Sequence, residues 1–261
     1  MVSGRKLPFA NQAEDGLRRS RRADGEFEVI IAMEDWVAAP VASPGRGAVS
    51  NASRKGDESR QRILEAALIE FGKAGFRSTT TRSISERASM TLPQLGYYFG
   101  GKEGLYRSCA EEIVARYARV THDAVEEARR TLDSAAGPEA ARETLKKLMT
   151  ASIELILGNE AYALGNGIVA RELAEPGPAF DIFYDRLWLP GIERNSRLIS
   201  RIKSEADVSE ESRLQSILLV SSIPSLHTRR VVAQRAMAWT GIGPAELALV
   251  SKVLHMQIDQ L

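Results

Sequence analysis

Residues 78–106 read "STTTRSISERASMTLPQLGYYFGGKEGLY", and their punctuation decides the fold. Thr79, Thr80 and Thr81 offer hydroxyls at a helix start, where a side-chain oxygen can accept from the free N–H groups of the first turn. "RSISERA" then puts Ile84 and Ala88 on one face. Ser89-Met90 makes a turn, and Thr91 can cap a further helix with Leu92 first and Pro93 second. Proline is tolerated there because a first-turn N–H has no intrahelical partner. Gly100-Gly101 ends this helix after about two turns.

Working outward, "ESRQRILEAALIEFGKAG" aligns Ile63, Ala67 and Phe71, with Leu64 and Leu68 alongside. That is one apolar helical face, and Gly75 is the C-terminal glycine that stops it. After residue 101 the text stays helical. Leu105, Cys109, Ile113 and Tyr117 recur every fourth residue, and "DSAAGPEA" breaks the pattern at 133–140. Further helices are expected at about 139–157 and 160–174, then an aromatic-rich helix interrupted at Pro190-Gly191. A long stretch from 209 to 238 should kink at Pro224, and residues 244–258 close the chain behind a proline. No alternating strand pattern of any length and no internal repeat occur. The fold class is therefore all-α.

Three domains follow. Residues 1–55 carry Arg18, Arg19, Arg21 and Arg22, an acidic patch and a Pro/Gly/Ser/Ala-rich run, and read as a disordered extension. Residues 56–103 are a helix-turn-helix unit, and residues 104–261 a helical bundle.

The net charge of the 261 residues is +1, so overall charge cannot argue for nucleic acid. Locally the balance differs. Between Arg54 and Arg107, Arg60, Arg62, Lys73, Arg77, Arg82, Arg87 and Lys102 help the bases outnumber the acids. A single cysteine, Cys109, excludes an intrachain disulfide and fits a reducing compartment. No run approaches a membrane span, and the N-terminus has no clear secretory apolar region. The expected location is cytoplasmic, with no membrane partner.

Two short helices behind a longer one are the outline of a DNA reader. The chemistry of the third helix sharpens this. Leu92, Pro93 and Gln94 stand at its N-terminus, where Gln94 can pair with adenine and the apolar pair can meet a thymine methyl. Tyr97, Tyr98 and Lys102 are placed for phosphates. Thr80 and Thr81 open the second helix, whose N-terminus suits a phosphate, and Arg82 can reach guanine or the backbone.

This stretch resembles the DNA-binding domain of the TetR family of bacterial transcriptional regulators. The resemblance rests on the glycine-ended first helix, the Thr-Thr-x-Arg-like start of the second, and the aromatic run followed by two small residues and Lys-Glu-x-Leu. "YYFGGKEGLYRSCAEEI" with "ARELAEPGPAFDIFYDRLWLPGI" is similar to the CecR (YbiH-like) branch, with its own C-terminal domain type. Two positions depart from the family pattern: Ser89 stands where glycine is usual, and Gly96 where tyrosine is frequent. The resemblance implies that Phe99 is core. It also implies a homodimer formed by the last two helices, a pseudo-palindromic double-stranded operator, and a repressor released by a small molecule bound in the C-terminal bundle.

Tyr97 and Tyr98 cannot both face one core on a short helix, so one ring should face the groove. Cys109 lies on an apolar face and reads as core, and His122, His227 and His255 lack metal-like spacing. Phe180, Phe183, Tyr184 and Trp188 fit core packing or a ligand pocket equally well. With Tyr162 and Arg171 they are the ligand-binding candidates. Arg171 and Glu172 can ion-pair locally or orient a polar ligand. No nucleophile–base pair, metal set, cofactor motif or phosphate-cradling glycine loop points to an enzyme. The alternative to a ligand-responsive repressor is a DNA-bound structural or protein-regulating factor on the same fold, without an inducer.

Overall fold

The computed structural model describes residues 51–158 and 163–261. Residues 1–50 of the extension read at 1–55, and the ligand candidate Tyr162, lie outside the described residues. Among those described, secondary structure is helical and no strand occurs. The helices are α1 (Asn51–Ser78), α2 (Thr81–Ala88), α3 (Leu92–Phe99), α4 (Lys102–Asp133), α5 (Pro138–Leu157) and α6 (Ala163–Ala174). They continue as α7 (Phe180–Phe183), a π-turn (Tyr184–Trp188), α8 (Leu189–Ile202), α9 (Glu210–Thr228), α10 (Arg230–Met237) and α11 (Pro244–Asp259).

Gly75 breaks α1 at φ 78° and ψ 173°, a conformation that L side chains rarely adopt. The last residues of α1 then form one separate turn, closed by Thr79 N–H on the Gly75 carbonyl. α2 packs on α1, and α3 packs on α2 and on α4. Their inward residues, Ile84, Ala88, Leu95 and Phe99, join Ile63, Leu64 and Phe71 in one buried cluster. That cluster crosses into the C-terminal helices through Leu105, Tyr106, Cys109, Ile168 and Phe183. Phe71 meets the edge of Tyr106 at 4.8 Å, which ties α1 to α4. Burying one such large apolar side chain stabilises by about 1.5–3 kcal/mol, and the shared cluster couples the stability of α1–α3 to that of the C-terminal helices. Burial pushes the Cys109 thiol well above its ordinary range, which keeps it inert as a core residue.

Three expectations need correction. α1 starts at Asn51, inside the segment read as extension. Gly56 falls within it and faces the Tyr98 hydroxyl, to which an added Cβ would lie at 3.8 Å. Next, Pro190-Gly191 does not interrupt its helix. Pro190 sits in the first turn of α8, and the irregularity lies upstream, where Leu189 N–H bonds back to the Tyr184 carbonyl in an i→i+5 turn. Finally, the stretch read as one helix from 209 to 238 is two, α9 and α10: Pro224 lies inside α9, and the chain leaves helical geometry at Arg229 (φ −101°, ψ 21°). The Thr228 hydroxyl takes the Pro224 carbonyl at 2.9 Å, and Arg229 N–H still reaches Ser225, so the helix survives one more turn.

Candidate nucleic-acid interface

Each element of the reader is set by its own cap. Thr80 has extended backbone (φ −110°, ψ 150°), and its hydroxyl accepts from Ser83 N–H at 3.0 Å, as an N-cap does. The turn after α2 needs a left-handed residue, and Ser89 supplies it at φ 52°, where glycine would fit without strain. Arg62 of α1 steadies that turn, donating from Nη2 to the Ala88 carbonyl at 2.8 Å. Sequence reasoning counted Arg62 only as local charge.

α3 separates its faces cleanly. Leu95 and Phe99 are buried, while Leu92, Pro93, Gln94 and Gly96 are exposed and Tyr97 is 84% exposed. Tyr98 is half-buried against the core, with its ring 5.2 Å from that of Tyr97. The two rings thus lie in different surroundings, Tyr97 towards solvent and Tyr98 against the core. Phe99 is core, and the Arg60 guanidinium lies 5.1 Å from its ring centre.

Besides Thr80, three of the polar candidates are already engaged within the chain. Gln94 Oε1 accepts from both the N–H and the hydroxyl of Thr91, each at 2.9 Å, which closes the start of α3. Arg82 pairs with Glu86 at 2.9 Å on the solvent face of α2. Lys102 Nζ donates to the Arg77 carbonyl at 3.3 Å and lies 4.7 Å from the centre of the Phe76 ring. Its ammonium thus rests on the turn after Gly75, a partly exposed position.

Gly104 was also missed. The Phe99 carbonyl oxygen lies 2.0 Å from where a Cβ on residue 104 would stand, so only glycine lets α4 begin so close behind α3.

The ligand candidates separate. Phe183 is fully buried in the core. Phe180 stacks on the exposed Tyr184 at 6.1 Å and meets Trp188 edge-on at 5.4 Å. Arg171 and Glu172 do not pair with one another. Arg171 donates to backbone carbonyls of α1, and the buried Glu172 accepts from the Tyr106 hydroxyl at 2.8 Å and from Gly177 N–H at 2.9 Å. Burial, reinforced by that carboxylate, raises the Tyr106 phenol above its ordinary range. A groove of about 690 Å³ opens elsewhere, between α5 and α11, lined by Lys146, Thr150, Glu154, Leu247, His255 and Met256 among others. None of the five described ligand candidates, Arg171, Phe180, Phe183, Tyr184 and Trp188, lines it. Among the described residues no group of His, Cys, Asp and Glu could hold a metal ion, and no helix is long and apolar enough to cross a membrane.

This arrangement defines a helix-turn-helix regulator with a helical C-terminal domain. The family "Bacterial regulatory proteins, tetR family" matches residues 63–109, and "HTH-type transcriptional dual regulator CecR, C-terminal domain" matches residues 141–261. The chain belongs to the TetR family, in its CecR-type branch, and is a transcriptional regulator. It is 25% identical over 206 residues to the HTH-type transcriptional dual regulator CecR of Shigella flexneri, covering 78% of this chain and 92% of that protein. Its fold matches a TetR-like transcriptional regulator from Rhodococcus sp. RHA1 with a TM-score of 0.56 at 18% identity, covering 81% and 97% of the two chains. It also matches AibR, solved in complex with isovaleryl coenzyme A and operator DNA, with a TM-score of 0.51 at 14% identity, covering 65% and 86%.

Proposed function

We propose that this chain works as a homodimeric repressor that leaves its operator when a small molecule binds the C-terminal helices. The observation that carries the DNA-reading assignment is the two-faced α3, which buries Leu95 and Phe99 while presenting Leu92, Pro93, Gln94 and Tyr97. A helix so mounted can enter the major groove with its N-terminal side chains against base edges. Thr80, Thr81 and Arg82 then flank it from α2, and Tyr98 and Lys102 from its far end. Lys102 must exchange the Arg77 carbonyl for a phosphate to take its part.

The dimer reading is supported by exposed apolar side chains on the last helices. Leu214, Ile217 and Leu218 of α9 and Leu249, Val253 and Met256 of α11 face solvent in the single chain. Two-fold pairing there gives a four-helix bundle and two recognition helices that require a pseudo-palindromic site. Ligand response is supported by the family assignment and by AibR, whose structure holds both an acyl coenzyme A and operator DNA. A ligand releases DNA only by binding the two states of the dimer unequally.

The test is to enrich a duplex from a random-sequence library on the full chain, then measure its affinity for Tyr97→Ala and Lys102→Ala. Each variant should bind at least about tenfold more weakly, with unchanged circular dichroism. Wild-type affinity in both would sink the site assignment.

A further inference from the structure

The break at Gly75 strips the end of α1 of continuing helical N–H donors, and its last carbonyls need other partners. Those partners come from the other domain. Arg171, on α6, donates from Nη1 to the Phe71 carbonyl at 3.2 Å and the Gly72 carbonyl at 2.9 Å, and from Nη2 to the Lys73 carbonyl at 2.9 Å. A fourth contact, Nη1 to Gly167 at 3.3 Å, braces the guanidinium on its own helix. The positive charge sits at the negative end of the α1 dipole. A planar fork can serve three successive carbonyls, whereas an ammonium cannot match that geometry.

The surroundings are shaped to admit the side chain. A Cβ on Gly75 would stand 3.2 Å from Arg171 Cδ, and a Cβ on Gly167 would stand 3.2 Å from the Gly72 carbonyl. The same end of α6 is fastened twice more. Glu172 holds Tyr106 of α4, and Glu175 pairs with Arg77 at 2.6 Å. The opposite end of α6 reaches into the bundle. There Asn166 accepts from the Tyr117 hydroxyl of α4 and donates from Nδ2 to the Ile156 carbonyl of α5 at 3.0 Å.

We propose that Arg171 is a positioning residue: it caps α1 from the C-terminal domain and so fixes the orientation of the DNA-reading helices on the bundle. α6 is the rigid strut of this contact, and the end of α1 follows it. The consequence for operator affinity rests on the DNA-reading assignment above; the orientation itself does not.

The experiment measures a distance within one chain. Spin labels are placed on Tyr97→Cys in α3 and Glu139→Cys in α5, in full-length protein diluted with unlabelled chain. Cys109 is fully buried and out of reach of the label. Wild type should give one narrow distance distribution. Arg171→Ala should broaden or shift it, and Arg171→Lys should fall between, while helical content stays constant. In unlabelled chain with Tyr97 and Glu139 intact, affinity for the enriched duplex should fall about tenfold in Arg171→Ala. A lower melting midpoint with a wild-type distribution would mean that Arg171 merely adds stability, and would overturn the proposal. Should Arg171→Ala fail to fold, Arg171→Lys carries the same test. A changed distribution with unchanged duplex affinity would support Arg171 as positioner and remove the DNA-reading assignment instead.

Discussion

Gln94 Oε1 accepts from both the backbone N–H and the hydroxyl of Thr91. One side chain therefore closes the recognition helix and stands among its base-facing residues. With the oxygen engaged, the amide Nε2 is the group left to contact DNA, so in this rotamer Gln94 reads an acceptor edge. Gln94→Glu separates the two tasks, since a carboxylate oxygen still serves the cap but brings no donor. The melting midpoint should stay within a few degrees of wild type. Affinity for the enriched duplex should drop by about tenfold or more, from lost readout and repulsion by phosphate. Thr91→Val should do the reverse in part, costing about 1 kcal/mol in urea denaturation by weakening the cap.

Gly104 sits under the Phe99 carbonyl with no room for a side chain. Backbone, not a flexible side chain, occupies the space, so relief requires α3 and α4 to move apart. Gly104→Ala should destabilise by about 1–3 kcal/mol, measured as a lower urea midpoint at unchanged slope. Gly96 is the contrasting case. An added Cβ there meets nothing within 4 Å, and the Gly96 carbonyl still accepts from Gly100 N–H at 2.9 Å. Gly96→Ala should therefore stabilise by about 0.5–1 kcal/mol, because alanine loses less backbone entropy in a helix.

These two glycines show which parts of the site were legible. Helix faces and caps are local, so the inward Ile84 and Ala88 and the cap at Thr80 followed from spacing, whereas Phe99 as core came from the family resemblance. The turn at Ser89 was legible as a turn, and its left-handed backbone explains why glycine is usual there. What stayed hidden depends on partners far along the chain. Arg171 lies about a hundred residues from the carbonyls it caps, and Glu172 is 66 residues from Tyr106. Nothing local distinguishes that pair from an ordinary surface ion pair. Gly104 was hidden because close backbone approach leaves no periodic signal. Proline removes one helix hydrogen bond and so marks Pro224 in the sequence, whereas no proline or glycine marks Arg229, where the chain leaves helical geometry.

The last prediction concerns acid. Glu205, before α9, accepts from the Ser212 hydroxyl at 2.8 Å and the Ser209 hydroxyl at 3.0 Å, and pairs with Lys203 at 3.1 Å. The Ser212 hydrogen bond first, opposed by burial, and then Lys203 and Ser209 hold its carboxyl at about 2. An unfolded glutamate titrates near roughly 4.3. The folded value is the lower one, so the unfolded chain binds the proton more readily. The stabilisation is therefore complete above about pH 4.5 and is lost as pH falls towards 2. Glu205→Gln should be less stable than wild type at pH 7, and the two urea midpoints should converge between about pH 4.5 and 2. Since Ser209 also caps α9 by accepting from Ser212 N–H at 3.1 Å, the helix itself should persist in the variant. A gap between the midpoints that stays constant down to pH 2 would show that Glu205 acts through packing rather than charge.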